Sequence, residues 1–370
     1  MTKHSASNER IKRDYFAYLK EALGRDEATI GGVAKSLARF EESTKARDFK
    51  RFHREQAVAF KAALAKTTNA RTGERISKAT MLSTLRDLRA FFFWLAHLPG
   101  FKSHIGYHDA AYFNLSDKDV AVARARREKR VPTLAQVHHV LSAMPADTIL
   151  ERRDRALIAF AALTGARVAA LASFRLGHVN LVGGLVEHDA RTVRSKFAKT
   201  FSTWFMPIGG EALAIFTGWA AELERIHLWG RDDPLFPATQ MGLDENGGFT
   251  PVGILRSDWS TTQPINAIFH RAFERAGLPY FNPHSFRDML VRHAMTLNLS
   301  AESMKAWSQN LGHADVLTTF TSYGQVPAHR QGELIRALAN EGPAAAAASS
   351  EQIAVLEGLL AGLRRYPQSA

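Results

Sequence analysis

Apolar residues recur at helical spacing through the first hundred positions. Tyr15, Phe16, Leu19 and Leu23 form one stripe, and Val33, Leu37 and Phe40 a second. Residues 56–64 predict a third helix. A longer one opens after Ser77, a plausible N-cap, with Leu82, Leu85, Leu88, Phe92 and Leu95 on one side, and Pro99-Gly100 ends it. Residues 8–115 therefore read as a four-helix arrangement. Thr133 caps a further helix over 134–144, and another runs over about 152–163. Thr164-Gly165-Ala166-Arg167 breaks that helix and starts a short one.

The pattern then changes. Leu185-Val186-Glu187 and Thr203-Trp204-Phe205-Met206-Pro207 look like strands, with a basic turn from Arg191 to Lys199 between them. Residues 229–263 are rich in Gly, Pro, Asp and Thr and read as a long loop. Helices resume over about 264–276, 285–297, 303–311 and 316–323. A last one near the C-terminus carries Ile353, Leu356, Leu360 and Leu363 on one stripe, which asks for a partner surface. The fold class is mainly α with a small antiparallel sheet.

Charge divides the chain. Residues 1–130 hold 27 Lys and Arg against 15 Asp and Glu, whereas residues 131–370 hold 21 of each. The whole net charge of +12 lies in the first third, which suggests a polyanion grip attached to a second module. Lys12, Arg13, Lys35, Arg39, Arg86 and Arg89 lie on its polar faces; most read as solvated surface and a minority as phosphate contacts. The expected domains are 1–120 (helical), 121–132 (basic linker), 133–340 (second domain) and 341–370 (tail with an amphipathic helix). There are no cysteines, so disulfides, thiolate zinc sites and a cysteine nucleophile are excluded. With no apolar run long enough to span a membrane and no secretory leader, the expected location is the cytoplasm.

The second module holds no P-loop, no HExxH and no dinucleotide fingerprint. It carries a spaced set of cations and one tyrosine. Arg167 follows Thr164-Gly165; Lys199 sits in a turn before a strand; His284 and Arg287 form His-x-x-Arg after Pro283; His313 ends Leu311-Gly312-His313; Tyr323 comes ten residues later. His284 and Arg287, three apart, are expected to point from one helix face near its N-terminus, where an anion is favoured. Paired arginines match the oxygens of a phosphate. A tyrosine, with a pKa of about 10, needs cationic neighbours and a proton acceptor before it attacks. Tyr280, before Pro283, reads as packing. Phe91-Phe92-Phe93-Trp94 reads as core, and the pairs His138-His139 and Arg292-His293 as surface or core rather than metal ligands.

The order Arg, Lys, His-x-x-Arg, Leu-Gly-His, Tyr resembles the tyrosine recombinase (phage integrase) family over most of the chain. The resemblance implies a helical core-binding domain followed by a mixed α/β catalytic domain of the DNA breaking-rejoining type. It implies that Arg167 and Arg287 clamp the scissile phosphate, Lys199 is the general acid, His284 assists proton transfer, His313 hydrogen-bonds the phosphate, and Tyr323 forms a 3′-phosphotyrosyl link. No metal, ATP or other cofactor is then needed. The implied partners are double-stranded DNA, a homotetramer assembled on it, and accessory DNA-bending proteins. A mobile-element origin fits this reading; a type IB topoisomerase and an inactive DNA-binding relative are the alternatives. The chain departs from the family pattern at Ala170, where an acidic residue is common, at Asp288, where a histidine is common, and in the ten-residue step to Tyr323. Lys196 is a rival to Lys199.

Overall fold

Helices begin where the sequence supplies a cap. Ser5, Asp26, Ser77, Thr133, Thr148, Asn282 and Ser300 each accept a hydrogen bond from a backbone N–H in the first turn that follows. The computed structural model describes residues 5–69, 72–125, 130–195, 199–297, 299–313 and residue 354. Lys196, Tyr323, the helix expected at 316–323 and the amphipathic stripe of the tail lie outside the described residues.

The chain divides into two compact units, Met1–Arg126 and Arg127–Ala370. The first contains α1 (Ala6–Ala17), which runs on through a π-helical turn at Tyr18–Ala22, then α2 (Glu27–Ser43), α3 (Arg54–Lys66) and α4 (Lys78–Leu95). Two short helices, α5 (Tyr107–Ala110) and α6 (Asp117–Arg124), complete it. Helix α6 takes in the first residues of the segment expected as linker. Phe40, Phe52, Phe60, Phe92 and Phe113 form the aromatic centre of this unit. Within the Phe91–Trp94 run, Phe91 and Phe92 are fully buried, but Phe93 is half exposed and lies against Tyr107 and His97. Leu23, expected on the first apolar stripe, is also exposed. It follows the π-helical turn, which uses more residues per revolution than an α-helix and so rotates the stripe away.

The second unit has α8 (Ile149–Thr164) at its centre, with ten of its residues buried. Around it lie α7 (Leu134–Ala143), α9 (Val168–Leu171), α10 (Ala212–Arg225), α11 (Gln263–Arg275), α12 (Pro283–Thr296) and α13 (Ala301–Asn310). A three-stranded antiparallel sheet, β1 (Val179–Asn180), β2 (Leu185–His188) and β3 (Phe201–Trp204), pairs Val186 with Thr203 and His188 with Phe201. The loop expected over 229–263 is not structureless. It folds a hairpin of β4 (Thr239–Leu243) and β5 (Phe249–Ile254). Its glycines and Pro251 weaken the strand signal in the sequence. A two-stranded ribbon tolerates them because every strand in it is an edge and its register is shifted beside Met241. Among the described residues no helix is long and apolar enough to cross a membrane.

Candidate active site

The central helix ends at Gly165, which takes a left-handed conformation (φ +59°). A side chain there would lie 2.8 Å from Leu311 and 3.0 Å from Leu290, so the turn requires glycine on both steric counts. Thr164 secures the same turn: its hydroxyl donates to the Phe160 carbonyl at 2.7 Å and accepts from the Ala166 N–H. The turn delivers Arg167, partly buried, to the start of α9.

Helix α12 presents His284 in its first turn and Arg287 further in. The structure separates them in exposure: His284 is exposed and Arg287 is 2 % exposed. Both charges nevertheless reach His313, as a pair on one side of the helix would. Residues three apart on a helix differ by about 60° in direction, enough to straddle the edge of a buried face. Arg287 Nη1 donates to the Gly165 carbonyl at 2.6 Å, and Nη2 donates to the Leu311 carbonyl. One guanidinium thus ties the Thr-Gly-Ala-Arg turn to the Leu-Gly-His turn. Its Nε–H is buried with no hydrogen-bond partner.

Gly312 also takes a left-handed conformation (φ +68°), with its Cα against the ring of Phe201. It turns the chain so that His313 points back at Arg287: His313 Nε2 lies 3.1 Å from Arg287 Nη2. An arginine can only donate, so Nε2 accepts and the ring proton belongs on Nδ1, which faces Ser308 Oγ at 3.5 Å. The pKa of His313 falls to about 4, first through burial and then through the positive charges of Arg287, Arg167, Lys199 and His284. His313 is therefore neutral at pH 7. The same cause places four of the singled-out cationic residues within electrostatic reach of one imidazole.

Lys199 is partly buried beside β3. The Ser195 hydroxyl accepts from the Lys199 N–H and donates to the Lys199 carbonyl. Lys199, Phe201, Trp307, Gly312 and His313 line one groove of about 790 Å³ between β3 and α13. Asn310 holds the groove's two sides in register. Its side-chain amide accepts from the Trp204 N–H at 2.7 Å and donates to the Trp204 carbonyl at 2.8 Å, as a neighbouring strand would.

Five of the six singled-out residues, Arg167, Lys199, His284, Arg287 and His313, therefore converge. The sixth, Tyr323, lies outside the described residues. Tyr280, the competing tyrosine, packs on the ring of His270 and has its pKa raised by burial, which opposes activation. Ala170, at the family's usual acidic position, is buried at 2 % exposure, and so is Asp288 at 3 %. Lys12, one of the cations on the polar faces of the first unit, is held by Glu41 at 2.6 Å and Glu9 at 2.8 Å. Among the described residues no cluster of three or more His, Cys, Asp or Glu is placed to hold a metal.

The sequence reading missed His188. It is 3 % exposed at the inner end of β2, stacked on Phe201, and its pKa falls to about 3, through burial first and then the charges of Arg287, Arg167 and His178. The alternation along β2, with Val186 and His188 both inward, was the available signal.

Residues 131–330 match the phage integrase family model. The tyrosine recombinase XerC of Xylella fastidiosa (strain 9a5c) is 23 % identical over 316 residues, covering 84 % of this chain and 90 % of that protein. The tyrosine recombinase XerD of Neisseria meningitidis serogroup B (strain MC58) is 28 % identical over 200 residues, 52 % of this chain and 58 % of that one. Among solved structures, a lambda integrase dimer bound to a COC′ core site superposes with a TM-score of 0.57 at 13 % identity, covering 86 % of this chain and 99 % of that chain. The chain belongs to the phage integrase family, that of the tyrosine recombinases.

Proposed function

We propose that this chain is a site-specific DNA recombinase of a mobile element, which cleaves and rejoins strands through a covalent link to Tyr323. The observation that carries the reading is the convergence of Arg167, Lys199, His284 and Arg287 on the neutral imidazole of His313. That is a concentration of positive charge suited to a phosphodiester whose negative charge grows in the transition state.

In this reading the Tyr323 oxygen attacks phosphorus and the bond to the 5′ oxygen breaks. The phenol proton passes to His284, and Lys199 protonates the departing 5′ oxygen. The strand's energy is kept in the phosphotyrosyl bond, and a 5′ hydroxyl from another strand reverses the step. His313 can donate to a phosphate oxygen only after Arg287 Nη2 turns from it to the substrate and the ring proton moves to Nε2. Substrate binding thus exchanges the Arg287–His313 contact for two contacts to phosphate. The first unit supplies the grip on the DNA backbone through residues such as Arg13, Lys35, Arg39, Arg86 and Arg89. The working assembly is a homotetramer on two sites, with DNA-bending proteins as accessory partners and the cytoplasm as its location.

The test lets the protein choose its own target. A pool of duplexes with a randomised core is incubated with the protein, denatured, and the covalently bound DNA is recovered and sequenced. Recovery of one enriched core, attached through its 3′ phosphate, is expected. Adducts without sequence preference would favour a topoisomerase, and no adduct from any pool would favour an inactive DNA-binding relative.

A further inference from the structure

His188 and Phe201 sit opposite one another on β2 and β3 and stack with ring centroids 4.1 Å apart and planes 11° from parallel. Phe174 closes the other side of the imidazole, edge-on at 5.0 Å. The ring is also fixed in rotation. Thr203 Oγ1 donates its one proton to the Asn310 carbonyl at 2.8 Å, so toward His188 Nε2, at 3.3 Å, it can only accept. His188 Nε2 therefore carries the proton and donates. The Cζ end of the Phe201 ring meets Gly312, where a Cβ would lie 2.5 Å from it. Two residues before Phe201 stands Lys199, and directly after Gly312 stands His313. The two catalytic candidates are thus carried on the two sides of one ring contact, and that ring rests on His188.

We infer that His188 is a positioning residue, whose ring, stacked beneath Phe201, sets where Gly312 places His313 against Arg287 and where β3 places Lys199. The inference rests on the recombinase reading. It also explains why a histidine occupies this place. Arg167 and Arg287 project positive potential onto it, and a carboxylate there would pair with them and consume charge meant for phosphate. A neutral imidazole fills the volume, makes one directional hydrogen bond, and leaves the arginines' charge intact. Leucine would fill the space without fixing the plane of Phe201.

The test uses the duplex selected from the randomised pool and the full-length protein. His188→Ala and Phe201→Ala should slow single-turnover adduct formation by on the order of 10- to 100-fold, the scale set by misplacing catalytic groups by about 1 Å. DNA affinity should stay within about twofold, because neither ring carries a charge that would hold a phosphate. His188→Phe, which keeps a flat ring beneath Phe201, should recover most of the rate. The double alanine variant should be little slower than either single one.

A second readout separates positioning from loss of fold. With histidine rings labelled by ¹⁵N, His313 in the wild-type protein should remain neutral down to about pH 4. In His188→Ala its midpoint should rise toward the ordinary histidine value as the ring leaves its seat against Arg287. His188→Phe should leave it low. Wild-type rates and an unmoved His313 midpoint in both alanine variants would overturn the inference, as would a His188→Phe loss equal to that of His188→Ala. A wild-type protein that forms no adduct would instead strike at the recombinase reading, and the His313 titration would still decide the structural part.

Discussion

Arg287 Nη2 and His313 Nε2 stand 3.1 Å apart, each supported from behind: the arginine by the carbonyls of Gly165 and Leu311, the histidine by Ser308. The contact decides a protonation state. A protonated His313 would set N–H against N–H beside a guanidinium, so the fold keeps the imidazole neutral.

That neutrality has a consequence for stability. His313 and His188 have folded-state pKa values of about 4 and about 3, against 6.5 for the free side chain. Well above pH 6.5 neither state binds the proton and the two histidines contribute no pH dependence. As pH falls below 6.5 the unfolded chain takes up protons that the folded chain refuses, and stability falls, continuing until the pH reaches the folded values. Between about pH 7 and about pH 5 the loss should be on the order of 2 kcal/mol per histidine. Urea midpoints at the two pH values should show it, and His188→Phe should remove roughly half. A midpoint independent of pH over this range would mean that the two rings are not held as described.

Arg287→Lys should fail although charge is retained. A lysine has one ammonium and cannot reach both the Gly165 and Leu311 carbonyls while also facing His313. Two buried carbonyls would lose their donor, at roughly 1–3 kcal/mol each, and adduct formation should fall by at least about 100-fold. Thermal unfolding and adduct assays on the same preparation check both parts. Near-wild-type activity in this variant would show that the guanidinium fork is not needed.

Gly312→Ala places a methyl group 2.5 Å from the Phe201 ring in a left-handed backbone conformation. A cost of about 1–3 kcal/mol is expected from the backbone alone. Because Gly312 has Phe201 on one side and His313 after it, the adduct rate should fall further than stability does. Phe201→Ala/Gly312→Ala relieves the clash, so its stability should be better than the sum of the singles. Strict additivity would argue against the contact.

Lys199 can be separated from Lys196 by the leaving group. Lys199→Ala should abolish cleavage of an ordinary duplex but cleave one whose leaving 5′ oxygen is replaced by sulfur, because a thiolate departs without a proton. Lys196→Ala should cleave both at similar rates. Rescue of the Lys196 variant instead would transfer the role to that residue.

Much of the site was legible because its chemistry sits in side chains that recur in a fixed order. Thr164-Gly165 before Arg167 announced a break in the helix, and a left-handed glycine is found there, as it is at Gly312 before His313. Capping residues such as Thr133 and Ser77 likewise marked helix starts that the structure places after them. What the sequence hid depends on partners distant in the chain. The anchors of Arg287 are backbone carbonyls, which leave no mark in residue type. The role of Asn310 exists only because its amide meets Trp204 across the groove. His188 looked like an ordinary strand residue until the sheet register set it opposite Phe201. The β4–β5 hairpin was masked by glycines and a proline that a central strand would reject but a two-stranded ribbon accepts.

The central claim is that the converging cations serve a tyrosine nucleophile at position 323. Protein trapped on the selected duplex can be digested with nuclease and protease and its peptides weighed. The account predicts a nucleotide-bearing peptide whose modified residue is Tyr323, absent from Tyr323→Phe, which should still bind the duplex. An adduct on any other residue, or one that persists in Tyr323→Phe, would contradict it.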